Sequence, residues 1–83
     1  MRYDERIAFV LHILRAAKHG VLLRDLLEKL KIIYPDNKES AYTMIRRDMR
    51  QFNAEIGRAL DYSILASGRP LRCTLQQRGA EEQ

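Results

Sequence analysis

The apolar residues of this chain change period once, and that change limits the fold more than any single motif does. Up to about residue 56 they recur every three or four positions, as on one face of a helix. From Leu60 onwards they alternate, as on one face of a strand. A chain written this way is expected to place helices first and a β-hairpin last.

The first helix is predicted over about Asp4 to Lys18. Ile7, Val10, Leu11, Leu14 and Ala17 recur at helical spacing, and Tyr3 extends the stripe backwards. Phe9 and Ile13 widen it, as in a helix packed between two others. Asp4 and Glu5 in the first turn, and Lys18 and His19 in the last, complement the helix dipole. Gly20 is the expected C-cap, and Val21-Leu22 has room for a very short strand. A second helix over about Leu23 to Ile32 turns Leu23, Leu26, Leu27 and Leu30 inwards. Pro35 ends that segment, because the residue before a proline avoids the helical region. The third helix begins at Asn37 or Ser40, either of which suits an N-cap. It runs to about Glu55–Ile56, with Gly57 as its stop.

Leu60, Tyr62 and Ile64 then alternate with Asp61, Ser63 and Leu65, and Leu71, Cys73 and Leu75 with Arg72, Thr74 and Gln76. Ser67-Gly68-Arg69-Pro70 between them has the composition of a tight turn. A hairpin alone is marginal in water, so its apolar face should lie on the helices. The fold class is therefore mainly α with a small β-hairpin: a winged helix, in which a three-helix helix-turn-helix core carries a C-terminal β wing. Residues 1–78 are read as one domain, and 79–83 as a polar, frayed tail.

The third helix carries the chemistry. Tyr42, Ile45, Met49, Phe52 and Ile56 form its apolar stripe. The other side presents Ser40, Thr43, Arg47, Arg50, Gln51 and Arg58, with Arg46 at the border. Arginine, threonine, serine and glutamine reach both phosphate oxygens and base edges in a DNA groove. Thr43, Arg47 and Arg50 lead as groove contacts, with Ser40 and Gln51 behind them. Arg46 either meets DNA or pairs with Asp48 or Glu55. Arg69, at the hairpin tip, is either a wing contact to a minor groove or phosphate, or an ordinary turn residue. Arg72, on the same side as Thr74, adds a phosphate contact. Lys38 stands near a helix N-terminus, where phosphate is favoured. The competing reading of the same helix is a solvated surface.

Charge supports a polyanionic partner. Residues 38–78 hold eight Lys/Arg against four Asp/Glu, or +4. Residues 1–37 hold seven against five, or +2, and Glu81 and Glu82 subtract 2. The excess in the second half is almost all arginine, whose planar fork suits phosphate and guanine. Eighty-three residues, 46% of them hydrophobic, make one small domain with a thin core. No apolar run is long enough to span a membrane, and no signal-peptide pattern opens the chain. A cytoplasmic location is expected. Cys73 is the only cysteine, which excludes an internal disulfide. His12 and His19 lie seven apart without metal-ligand neighbours, so no metal site is expected. His12 is read as half-buried on the first helix. No nucleophile–base pair, phosphate loop or catalytic carboxylate pair stands out, so neither an enzyme nor a cofactor or small-molecule ligand is expected.

Ile45-Arg46-Arg47-Asp48-Met49, following Leu26-Leu27-Glu28-Lys29-Leu30, resembles the winged helix-turn-helix of DeoR-type and WYL-type bacterial regulators. Their recognition helix reads roughly Ser-x-x-Thr-Ile-x-Arg-Asp-Leu. The resemblance covers about residues 5–76, with its specific part in those five residues of the third helix. It implies that Arg46 and Arg47 meet DNA, that Asp48 has a structural role, and that Ile45 and Met49 belong to the core. Met44 stands where that pattern has threonine, with Thr43 one place earlier, and the loop before the helix is longer. No effector domain follows the wing, so the domain is expected to act alone or with a partner.

The expected function is sequence-specific binding of double-stranded DNA by a small transcriptional regulator of bacterial, phage or mobile-element origin. A homodimer on a palindromic site would enlarge its footprint, through helix one or Ile32-Ile33-Tyr34. The alternative is a winged-helix protein-interaction module that docks on a host protein or a nucleic-acid machine.

Overall fold

The computed structural model describes residues 1–81. The chain runs α1 (Tyr3–Ala16), β1 (Val21–Leu22), α2 (Leu23–Lys29), α3 (Lys38–Ala54), α4 (Ile56–Leu60), β2 (Tyr62–Ser67) and β3 (Arg72–Gln77), followed by a 3-10 turn over Arg78–Glu81. It is mainly helical, with a small antiparallel sheet in the order β1-β3-β2.

The sheet joins the segment that leaves α1 to the C-terminal hairpin. Val21 pairs with Cys73 and Leu22 with Arg72, so the two-residue segment after α1 becomes the third strand of the hairpin sheet. Gly20 makes that approach possible. Its φ is +79°, and a Cβ there would meet the Thr74 hydroxyl oxygen at 2.8 Å. The hairpin pairs Tyr62 with Gln77 through to Ser67 with Arg72, leaving residues 68–71 as the turn. Gly68 has φ +90° in that turn, and the Arg69–Pro70 bond is cis.

The core is built from all of these elements. Ile7, Val10 and Leu14 come from α1, Leu23 and Leu26 from α2, and Ala41, Ile45, Met49 and Phe52 from α3. Ile64 and Cys73 close it from the sheet, and Leu30 and Tyr34 from the segment after α2. Asn53 ties α3 to β2 by pairing its amide with the backbone of Ile64, accepting from N–H at 2.7 Å and donating to C=O at 2.9 Å.

Several expectations are corrected. α3 ends at Ala54, and the backbone breaks at Glu55 (φ −116°, ψ −89°) into a short α4. Leu60 and Arg58 therefore lie on α4, not on the strand and the α3 stripe respectively. Gly57 does not stop a helix. It is buried inside α4 because a Cβ would meet the Tyr62 carbonyl oxygen at 2.6 Å and the Phe52 ring at 2.7 Å. α2 stops at Lys29, and residues 30–33 continue as turns. Phe9, expected in a widened apolar face, is exposed, because α1 buries only the stripe led by Ile7, Val10 and Leu14. His12 is exposed for the same reason. The tail also begins later than expected. The Arg78 side chain donates to the Ser63 hydroxyl and the Asn53 carbonyl, and the Gly79 N–H donates to the Asp61 carboxylate at 3.0 Å. Residues 82 and 83 of the predicted tail lie outside the described residues.

Candidate nucleic-acid interface

α3 begins where Asn37 caps it. The Asn37 side-chain oxygen accepts from the Ser40 N–H at 3.0 Å, satisfying one of the free donors of the first turn. Its buried residues are Ala41, Ile45, Asp48, Met49 and Phe52. At 100° per residue, the positions opposite that set are Ser40, Thr43, Arg47 and Arg50, and all four are exposed. Gln51 is half-buried at one edge of the stripe. The apolar stripe is rotated from the expected one. Tyr42 and Ile56 are exposed, while Asp48 is buried among apolar neighbours at 1% exposure.

Asp48 explains the rotation. A carboxylate in the core is costly unless it is ionically paired and hydrogen-bonded. Arg6 on α1 supplies a two-pronged partner, with Nε at 2.8 Å from Oδ2 and Nη2 at 3.0 Å from Oδ1. The Tyr34 hydroxyl donates to Oδ2 at 2.7 Å. Burial, reinforced by this carboxylate, pushes the Tyr34 phenol well above its usual range, and the carboxylate raises the Arg6 guanidinium. One side chain of α3 is thereby clamped to α1 and to the segment after α2. The clamp fixes the angular setting of the helix, and with it the direction of its outward stripe.

Arg46 pairs with neither Asp48 nor Glu55. It is half-buried on the flank of α3, and its guanidinium lies 5.7 Å from the centre of the Tyr42 ring. Lys38 is the first residue of α3 and is exposed. Lys38 and Tyr42 line one groove, of about 750 Å³, together with Pro70 and Leu71 of the hairpin turn. The turn that carries the exposed Arg69 therefore stands beside the N-terminal half of α3. Arg72 is exposed but engaged: its guanidinium donates to the carbonyls of His19 at 3.3 Å and Gly20 at 3.4 Å. It secures the corner between α1 and β1.

The structure thus brings Lys38, Ser40, Thr43, Arg47 and Arg50 onto one helix, with Arg46 on its flank, and the turn that carries Arg69 shares a groove with Lys38 and Tyr42 through Pro70 and Leu71. Glu39 is the one exposed carboxylate of α3. Arg6, Tyr34 and Asn53, which hold the helix in place, were not legible as site residues. The signal for Arg6 and Tyr34 was Asp48, three positions after Ile45, on a face that otherwise buries apolar groups. Among the described residues there is no cluster of three His, Cys, Asp or Glu side chains suited to a metal ion, and no helix is long and apolar enough to cross a membrane. No known protein family, curated protein or solved structure matches the chain.

Proposed function

We propose that this chain is a winged-helix domain that binds double-stranded DNA sequence-specifically, as a small cytoplasmic transcriptional regulator. In this reading α3 enters the major groove and the β2–β3 hairpin is the wing. The observation that carries it is the outward stripe Ser40, Thr43, Arg47 and Arg50 on a helix whose opposite face is clamped to the core. A reading helix needs donors that point away from the protein and a fixed angular setting, and α3 has both. In this reading Arg69, in the hairpin turn, makes a second contact to the DNA backbone or minor groove. The local resemblance of residues 45–49 to DeoR-type and WYL-type regulators supports the same reading.

Such a domain makes few phosphate contacts, so its affinity is salt-sensitive, with a slope of about −0.9 in log affinity per log salt for each contact. A second copy on a palindrome would double the footprint. Tyr34 is buried, which leaves Ile32 and, on α1, Phe9 as exposed apolar side chains for that contact.

The test is a titration of the purified chain against duplex DNA from upstream of its own coding region and against an unrelated duplex, at two salt concentrations. The expected result is tighter binding to the upstream duplex that persists at the higher salt. Arg47→Ala with Arg50→Ala should weaken that binding at least about tenfold, since a single good arginine–base contact is worth about 1–3 kcal/mol. The salt slope should become shallower by about two contacts. Unaltered affinity in this folded variant removes α3 as the reader. Weak, equal, salt-lost binding to both duplexes removes the regulator reading in favour of a protein-docking module.

A further inference from the structure

A second surface lies away from the arginine stripe. A groove of about 520 Å³ runs between the C-terminal half of α1, α4 and the sheet. Leu14, Phe52 and Leu75 form its floor, with Leu60 and Tyr62 on one wall. Phe52 reaches it from the face of α3 opposite Arg47 and Arg50, so the floor of the groove and the outward stripe belong to opposite sides of that helix. Leu60 leaves 61% of its surface in water and Tyr62 37%, although the floor beside them is buried or half-buried. A large aliphatic side chain standing beside an open apolar floor is a feature of contact surfaces.

The charges at the groove decide what fits it. Among the described residues its charged lining side chains are Arg15, on α1, and Lys18, two residues beyond the end of that helix, with no carboxylate beside them. Neither cation takes part in an ion pair among the described residues. A second copy of this chain seated symmetrically here would bring two pairs of like charges together across the contact. A segment with apolar anchors and flanking carboxylates would instead fill the floor and neutralise the rim.

We infer that this groove docks an acidic, amphipathic segment of a partner protein. The apolar side chains of that segment cover Leu14, Leu60, Tyr62 and Leu75, and its carboxylates meet Arg15 and Lys18. This inference does not depend on the DNA-binding reading. Under that reading the groove leaves the stripe of α3 free, so partner and DNA are held together.

The test uses the intact chain, immobilised, and a displayed library of random peptides, without DNA. The expected result is enrichment of peptides that combine Leu, Ile or Phe with Asp or Glu. A synthesised winner should shift amide resonances of Leu14, Leu60, Tyr62 and Leu75. Arg15→Glu with Lys18→Glu, both at exposed positions, should retain the native melting temperature and weaken that peptide at least about tenfold. Leu60→Glu should weaken it as well. No enrichment, enrichment without acidic residues, or winners indifferent to both variants would each overturn the proposal. So would self-association of the chain that Leu60→Glu abolishes, because the occupant would then be a second copy. Loss of DNA binding in Arg47→Ala/Arg50→Ala leaves this test unaffected, so the two readings fail separately.

Discussion

Replacing Asp48 with asparagine keeps the size of the side chain and removes the charge that Arg6 and Tyr34 enclose. Three short bonds converge on the carboxylate, at 2.8, 3.0 and 2.7 Å, and the residue is 1% exposed. An asparagine amide offers one acceptor oxygen and two donors, so one of the donors facing it is left opposite another donor. Breaking a buried ion pair from one side costs about 3–5 kcal/mol. The Arg6 side chain retains 16% exposure and so keeps some access to water, which places the cost near the lower end, about 3 kcal/mol. In a domain of this size each kcal/mol moves the melting temperature by about 4–8 °C, so Asp48→Asn should melt about 12–24 °C below the parent. Thermal unfolding followed by circular dichroism reads this directly. The cost comes mainly from the uncompensated Arg6 cation, so adding Arg6→Met to Asp48→Leu should recover part of the loss relative to Asp48→Leu alone. A melting temperature for Asp48→Asn within about 3 °C of the parent would refute the reasoning, because it would mean the clamp contributes almost nothing net.

Gly57→Ala pushes a Cβ against the Tyr62 carbonyl and the Phe52 ring, neither of which is free to move, and should cost about 1–3 kcal/mol in urea unfolding. An unchanged midpoint would mean that α4 lifts off the sheet without penalty. Alkaline pH should destabilise the fold through Tyr34. Its folded pKa lies above the model-compound value of 10.0, so above pH 10 the unfolded chain loses a proton that the native state keeps. This contribution is flat below about pH 10 and then falls by about 1.4 kcal/mol per pH unit. Tyr3, also raised by burial, acts in the same direction. Urea unfolding across pH 8 to 11 should give a shallower alkaline decline for Tyr34→Phe, and parallel curves would exclude Tyr34 as the cause.

The succession of helices and hairpin was legible because each element announces its own period. Ile7, Val10 and Leu14 mark a helix face, and Ile64, Cys73 and their neighbours mark a strand face whatever surrounds them. The Ser67–Pro70 turn was legible because few residue types meet its backbone requirements, whereas Gly20, expected to cap the first helix, follows a cap at Ala17 and serves the approach to β3. The errors share one origin, which is that period does not fix phase when a stripe is wide. Tyr42 and Ile56 continue the spacing of Ile45, Met49 and Phe52, yet both are exposed. The position that took the inward place is Asp48, which hydrophobicity assigns outwards. Its burial depends on Arg6, forty-two residues earlier, and no local pattern connects the two. The break at Glu55 was hidden for a similar reason. Gly57 resembles a helix stop in sequence, and only the approach of Tyr62 and Phe52 shows that it serves packing instead.

That error of phase bears directly on function. Helix α3 advances 100° per residue, so a displacement of about 40° of the buried stripe would bring Tyr42 inwards and turn Arg50 towards one edge of the exposed face. Apolar packing alone discriminates weakly between such settings, because Ile, Met and Tyr side chains of similar volume can exchange places at modest cost. A buried carboxylate discriminates strongly. Only one setting points Asp48 at both Arg6 and Tyr34, and in any other the carboxylate leaves the two donors that enclose it. The clamp is therefore better understood as selecting the angle of α3 than as adding stability, since a well-packed apolar trio can be as stable as a buried ion pair. On this argument an apolar replacement of Arg6, Tyr34 and Asp48 together can melt as high as the parent and still bind DNA less selectively. The side chains that touch the bases would be unchanged, but the face that presents them would no longer be held at one angle.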